Sequence, residues 1–266
     1  MRRVLQGKKI ARVDARADTI VLGSAPPEAF SKALVGRTVE AIGRKGKYFW
    51  LELDQTPWLF GHLGMSGWIR LLSEEGMRLK SHGKKPFDEK GEPRFLKLMI
   101  EAEDETRIAF TDGRRLGRLW LADTPSSVPG IAKLGFDSLE EMPSAKDLYK
   151  RLVKRNAPLK AILLDQGLFA GVGNWVADES LYHARLNPKR LGSSLSEKES
   201  ATLRKAVLDV LTKSVDVDAD YEKYPETWLF HHRWGGKKGA EFIGKHKIVR
   251  EEVGGRTTAW VPAVQK

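Results

Sequence analysis

Apolar residues in the first half of the chain fall in short runs and alternations, whereas those of the second half recur at three- and four-residue intervals. The sequence therefore predicts β structure followed by helices. From Thr38 to Ala122 the stretches TVEAIGRKGKYFWLELD, PWLFGHLGMSGWIRLL, RFLKLMIEAE, TRIAFTD and LGRLWLAD are strand-like and are punctuated by Gly, Asp and Pro. Strands at this spacing predict a sandwich or barrel. Between the second and third of them, SEEGMRLKSHGKKPFDEKGEP is polar and glycine-bearing, which predicts a long, exposed and mobile loop. After TPSSVPGIAKLG the period changes. SAKDLYKRLVKR sets Leu148, Leu152 and Val153 at helical spacing, PLKAILLDQ begins with Pro in a first helical turn, and NWVADESLYHARL is amphipathic and stops before Asn187-Pro188. Another helix starts at Ser196, which with Glu199 makes a capping box, and runs through ATLRKAVLDVLTKSV. The final segment, from TWLFHHRW to AWVP, reads as strands punctuated by glycine. The opening MRRVLQGKKI shows a helical pattern of Val4, Leu5 and Ile10 with neither a cap nor first-turn acids, like a helix joined partway along. The predicted architecture is α+β with segregated elements: a β-sandwich over 1–128, a helical domain over 129–224 and a β-hairpin segment over 225–266.

Composition narrows the class. The 266 residues include 41% hydrophobic positions, enough to build cores, and no apolar run approaches the ~20 residues that cross a bilayer. The absence of cysteine removes disulfides and thiolate ligands and fits a reducing compartment. Charge is the stronger signal: 46 Lys and Arg against 35 Asp and Glu give +11, an excess that favours a polyanionic partner. Two basic clusters lie in the second half. Lys146, Lys150, Arg151, Lys154, Arg155 and Lys160 stand against Asp147 alone, and from Trp228 onward eight basic residues face three acids.

Three motifs fit that partner. QGLFAGVGNWVADE joins two helices through Gly167, Gly171 and Gly173, with Asn174 at the expected cap. Alone it is a tight turn, but after Lys160 and the basic helix it points to a phosphate site. GHLGMSGW puts Met65 on a glycine-supported turn, and TDGRRLGRLW offers Arg114, Arg115 and Leu116 on another. Apolar tips of this kind are often surface filler, yet duplex-distorting proteins use them to fill the gap left by an extruded base. In GRKGKYFW, Lys45 and Lys47 precede an apolar strand. A solvated turn explains them, and a lysine near cationic or apolar neighbours can also transfer protons. His62, His231, His232 and His246 lack a metal-ligand spacing, with His231 and His232 expected to point apart on a strand, so no metal or other cofactor is expected.

Taken in order, HLGMSG, TDGRRLG, LLDQGLFAGVGNWVADESLY and GGRTTAWVP resemble the formamidopyrimidine-DNA glycosylase and endonuclease VIII family across nearly the whole length. That resemblance implies base-excision enzymes with an N-terminal β-sandwich and a helix-two-turn-helix module, acting on oxidised purines such as formamidopyrimidine and 8-oxoguanine and on abasic sites. The missing cysteines resemble the zincless eukaryotic-type branch, whose terminal hairpin keeps a finger shape without metal. Packing by Trp228, Phe230, Trp234, Phe242 and Trp260 is then expected to replace the metal's contribution. By resemblance, Met65 is the wedge, Arg114 meets the estranged cytosine and Arg115 contacts DNA beside it. Lys47 assists β-elimination, while Asn174, Lys160 and Arg155 hold phosphates. Arg256 grips a phosphate and assists the last elimination. Leu116 stands where the family usually has Phe, which weakens stacking but keeps an apolar plug. The expected partner is damaged double-stranded DNA, bound by a monomer inside the cell, in the nucleus or another DNA-holding organelle, with no membrane association.

The family's chemistry uses an amine that attacks C1′ and a carboxylic acid, supplied by a Pro-Glu pair in a PELPEVE opening. This sequence contains no such stretch; RRVLQGKKI corresponds to the closing part of that helix. About seven helical residues at ~1.5 Å each would set the Met1 amine roughly 10 Å from the place where attack needs ~3 to 3.5 Å. The expectation is lesion binding without a Schiff base by the chain as written. The competing reading is a non-catalytic nucleic-acid binder that uses the helix-two-turn-helix module.

Overall fold

The computed structural model describes residues 1–72, 87–89, 91–234 and 241–266. It forms two compact units, Met1–Ala132 and Lys133–Lys266. Most of the polar stretch between Ser73 and Pro93 lies outside the described residues.

In the first unit, β1 (Ile10–Ala15), β6 (Leu96–Ala102), β7 (Arg107–Thr111) and β5 (Trp68–Leu71) form one antiparallel sheet in that spatial order. The second sheet runs β2 (Val39–Lys45), β3 (Tyr48–Leu53), β4 (Trp58–His62) and β8 (Arg118–Ala122). Strict alternation in β3 buries Phe49, Leu51 and Leu53, and these meet Leu98, Ile100, Ile108 and Phe110 of the other sheet in a shared core. The sandwich predicted over this region is present.

Two elements went unread in the sequence. The opening helix α1 (Arg2–Leu5) is a single turn without a side-chain cap, and the chain then becomes β1 rather than continuing as a helix. Interleaved arginines hide the strand pattern, because only Ile10 and Val13 of β1 are buried. Helix α2 (Pro27–Leu34) starts with Pro at its first position and tucks Phe30 and Leu34, four residues apart on one face, into the sandwich core.

The second unit begins after the short helix α3 (Pro129–Ala132). Here α4 (Ala145–Leu152), α5 (Leu159–Leu164), α6 (Asn174–Ala184) and α7 (Glu197–Asp216) surround a core that includes Leu148, Leu163, Leu181, Leu203 and Val207. A short parallel pair, β9 (Phe136–Asp137) with β10 (Phe169–Ala170), precedes the glycine turn into α6. Two hairpins close the chain: β11 (Phe242–Ile243) with β12 (His246–Lys247), and β13 (Val249–Val253) with β14 (Arg256–Trp260). They rest on a satellite core of Leu229, Ile243, Ile248, Ala259 and Val261.

The aromatic set expected to pack this hairpin is divided. Trp228 and Phe230 belong to the helical core instead, and Trp234 and Phe242 are exposed, leaving Trp260 as the buried one on β14. His231 and His232 correct a second expectation. They sit at and just after a 3-10 turn, Leu229–His231, rather than on a strand.

The box at the start of α7 is present: the Ser196 hydroxyl accepts the Glu199 N–H, and the Glu199 carboxylate accepts the Ser196 N–H at 2.9 Å. Glu199 also takes the Arg190 guanidinium, and these donors lower its pKa from 4.5 to about 2. A carboxylate with a depressed folded-state pKa stabilises above its ordinary value and loses that stabilisation as pH falls toward the depressed one. Ser196→Ala should cost about 1 kcal/mol in urea unfolding followed by helical signal. The Glu199 contribution should fade between pH 4.5 and about 2.

Candidate functional site

In the sandwich unit, β4 ends at His62 and β8 begins at Arg118, which pair with each other, so segments 63–67 and 112–117 leave one end of the sheet as neighbouring turns. Their approach is close: a Cβ on Gly64, whose φ is +60°, would stand 2.5 Å from the Leu116 carbonyl oxygen. Asp112, buried at the end of β7, ties the turns together. One carboxylate oxygen accepts the Ser66 hydroxyl at 2.5 Å and the Arg114 N–H at 3.1 Å, and the other accepts the Gly117 N–H at 2.6 Å. Burial pushes the Asp112 pKa up, but the Ser66 hydroxyl and the amides of Gly117, Arg114 and Leu116 outweigh it and hold the group below its ordinary value.

The fixed turns present apolar tips to solvent. Met65 is 68% exposed and Leu116 43%, and the Arg114 guanidinium donates to the Met65 carbonyl at 3.3 Å. Met65, Arg114 and Leu116 thus share one rim. Arg115, with φ +58°, turns to Asp18 instead, donating to both carboxylate oxygens at 3.0 to 3.1 Å. Asp18 also takes Lys97 at 2.8 Å and the N–H groups of Ile20 and Val21. These partners overcome the burial that raises its pKa and hold it far below the carboxylate range. The Arg115 guanidinium expected to contact DNA is thus already bound to a buried acid.

Lys47 is exposed on the turn between β2 and β3. Across the β3–β4 pairing, the Tyr48 ring lies 5.0 Å from that of His62, whose Nδ1 accepts the Gly64 N–H at 3.0 Å. Burial first, then the positive charges of Lys47 and Arg118, lower the His62 pKa, a direction that agrees with Nδ1 acting as an acceptor. Lys47, His62 and the Met65 turn therefore occupy the same end of the sheet.

The second unit carries its own set. Asn174 is the first residue of α6, with Gly173 and not Asn174 in the cap position, and its amide donates to the Thr257 carbonyl at 3.0 Å, beside the exposed Arg256 of β14. Lys160 corrects the expectation of a phosphate contact. Its side chain is 0% exposed, its ammonium is held by Asp178 and the Asn174 carbonyl, and burial depresses its pKa despite that partner. Asp178 also accepts Arg233 at 2.6 Å and the Ala259 N–H, while Glu179 accepts the N–H groups of Leu229 and Phe230 at 3.0 and 2.7 Å. Lys160 thus positions Asn174 and the hairpin rather than presenting charge. Arg155 is part-exposed and paired with Asp165 at 2.6 Å.

Asp112, Asp18 and Asp178 escaped the sequence reading. The one signal for Asp112 is an acid ending the apolar run RIAFT. Among the described residues no group of three or more His, Asp or Glu could hold a metal, and no helix is long and apolar enough to cross a membrane.

Together these features define a β-sandwich protein with rigid apolar and arginine turns, followed in sequence by a helical unit with a glycine-turn helix start. The family model for the formamidopyrimidine-DNA glycosylase N-terminal domain matches residues 1–119, and that for the formamidopyrimidine-DNA glycosylase H2TH domain matches 134–226. Formamidopyrimidine-DNA glycosylase of Arabidopsis thaliana is 38% identical over 98% of this chain, and the match spans 66% of that relative's length. The enzyme of the same name from Pelotomaculum thermopropionicum is 31% identical over 100% of this chain and 96% of its own. Lactococcus lactis formamidopyrimidine-DNA glycosylase, solved non-covalently bound to DNA containing an AP site, superposes with a TM-score of 0.78 at 25% identity, covering 100% of this chain and 95% of that one. The chain belongs to the formamidopyrimidine-DNA glycosylase family.

Asp112→Asn replaces one acceptor oxygen with a donor that meets either Ser66 or Gly117. It should destabilise the sandwich unit by about 1–3 kcal/mol in urea unfolding. Faster amide exchange at Arg114 and Gly117 would locate the loss in the two turns.

Proposed function

We propose that this chain acts in base-excision repair as a DNA glycosylase and abasic-site lyase directed at oxidised purines, formamidopyrimidine and 8-oxoguanine among them, and at abasic sites in duplex DNA. The observation that carries this reading is the joint presentation of Met65 and Arg114 on turns locked by Asp112. A solvent-exposed thioether on a rigid turn is unfavourable in water and suited to entering a base stack. Unstacking costs least where a base is damaged or missing, so a fixed wedge favours lesions over intact pairs. Arg114, beside it, offers guanidinium donors to the cytosine left without its partner. Leu116 supplies a second plug.

We give Lys47, on the turn beside His62, the proton transfer of β-elimination. In the second unit Asn174 and Arg256 grip phosphates, with Arg155 as a further contact, and the family's last elimination falls to Arg256. We assign the C-terminal hairpins to the zincless type, resting on the Leu229, Ile243 and Val261 core. Acting on DNA sets the protein to work inside the cell, and the nucleus is the compartment we assign.

Met65→Ala should reduce the preference for a duplex holding an abasic-site analogue over an undamaged duplex by about tenfold in equilibrium binding. An unchanged preference would remove the wedge. Catalysis has its own test. Borohydride trapping on 8-oxoguanine and abasic DNA separates the enzyme from a non-catalytic binder: a covalent adduct supports the glycosylase and lyase reading, and binding of the same DNA without an adduct overturns it.

A further inference from the structure

Phe95 immediately precedes β6 and is 51% exposed, with its backbone in the left-handed region at φ +60°, a conformation unfavourable for a bulky residue. Its carbonyl accepts the Asp112 N–H at 3.0 Å, so the carboxylate that fixes Met65 and Arg114 belongs to a residue whose amide fixes Phe95. The ring lies over Gly113: a Cβ there would meet it at 3.2 Å, and the absent side chain gives the ring its seat beside Arg114. The Arg94 guanidinium sits 5.5 Å from the ring centroid.

The large apolar side chains exposed among the described residues of this unit are Ile20, Val35, Met65, Phe95 and Leu116. Three of them, Met65, Leu116 and Phe95, are attached to or seated on segment 112–117, beside Arg94 and Arg114. The first two are aliphatic and can fill a gap. Phe95 alone of the three has a flat π face, and a flat face within a cationic rim fits a nucleobase better than a protein side chain.

Building on the lesion-binding reading, we propose that Phe95 is a further specificity-determining residue, stacking on the face of the base opposite the lesion while Arg114 addresses that base's edge. The ring then supplies the aromatic contact that Leu116 lacks.

The test uses the full chain and fluorescence anisotropy with two labelled duplexes carrying a tetrahydrofuran abasic analogue, one with cytosine opposite and one with a second tetrahydrofuran opposite. On the cytosine duplex Phe95→Leu should bind at least about fivefold more weakly than the parent, and Phe95→Trp within about twofold of it. On the duplex with no opposing base the Phe95→Leu loss should vanish. An equal loss on both duplexes, or no loss on either, would overturn the stacking role. If the parent shows no preference for abasic over undamaged duplex, the lesion-binding reading fails and takes this inference with it. If that preference holds while Phe95→Leu behaves like the parent, only the inference fails.

Discussion

A carboxylate removed from water must have its oxygens filled by donors, and this constraint governs both units. Asp112 satisfies it with the Ser66 hydroxyl and the amides of Arg114 and Gly117. Leaving one such group unsatisfied costs about 1–3 kcal/mol, so the two turns cannot drift apart cheaply. Asp18 meets the same demand with Arg115, Lys97 and two backbone amides. Asp178 meets it with Lys160, Arg233 and the Ala259 amide. Each acid converts its own desolvation penalty into a fixed geometry for segments distant in sequence.

What those geometries present differs between units. In the sandwich, rigid turns hold Met65, Leu116 and Arg114 outward, so the energy that would relax an exposed apolar side chain onto the surface is countered by hydrogen bonds beneath it. In the helical unit the buried acids face inward from α6. Asp178 draws the C-terminal strand β14 to the helix start, and Glu179 receives the amides of the 3-10 turn before the hairpins. Asn174 and Arg256 become neighbours as a result, through the bond to Thr257. Lys160 contributes to this arrangement by neutralising Asp178. A lysine so enclosed is worth more as a counter-ion than as an exposed phosphate contact.

Legibility followed the range of the interactions. The capping box of Ser196 and Glu199 and the alternation in YFWLEL were readable because each is decided within a few residues. Strand β1 was not, since IARVDA buries only two side chains and its partner, β6, lies more than eighty residues further on. The division of the aromatics was equally hidden: Trp228 and Trp234 look alike in sequence, yet one joins the helical core and the other faces solvent.

The candidate site shows the same boundary. Sequence by itself determined that Met65, Arg114, Leu116, Asn174 and Arg256 are present on turns and element ends, and, through four ordered motifs, which family they resemble. It also determined the excess of positive charge that favours a polyanionic partner. Tertiary structure alone decided that Arg115 is bound to Asp18, that Lys160 is enclosed, and that the Phe95 ring lies over Gly113. Those outcomes depend on which donors reach which buried oxygen once the chain is folded, and a side chain's sequence neighbours carry no record of that.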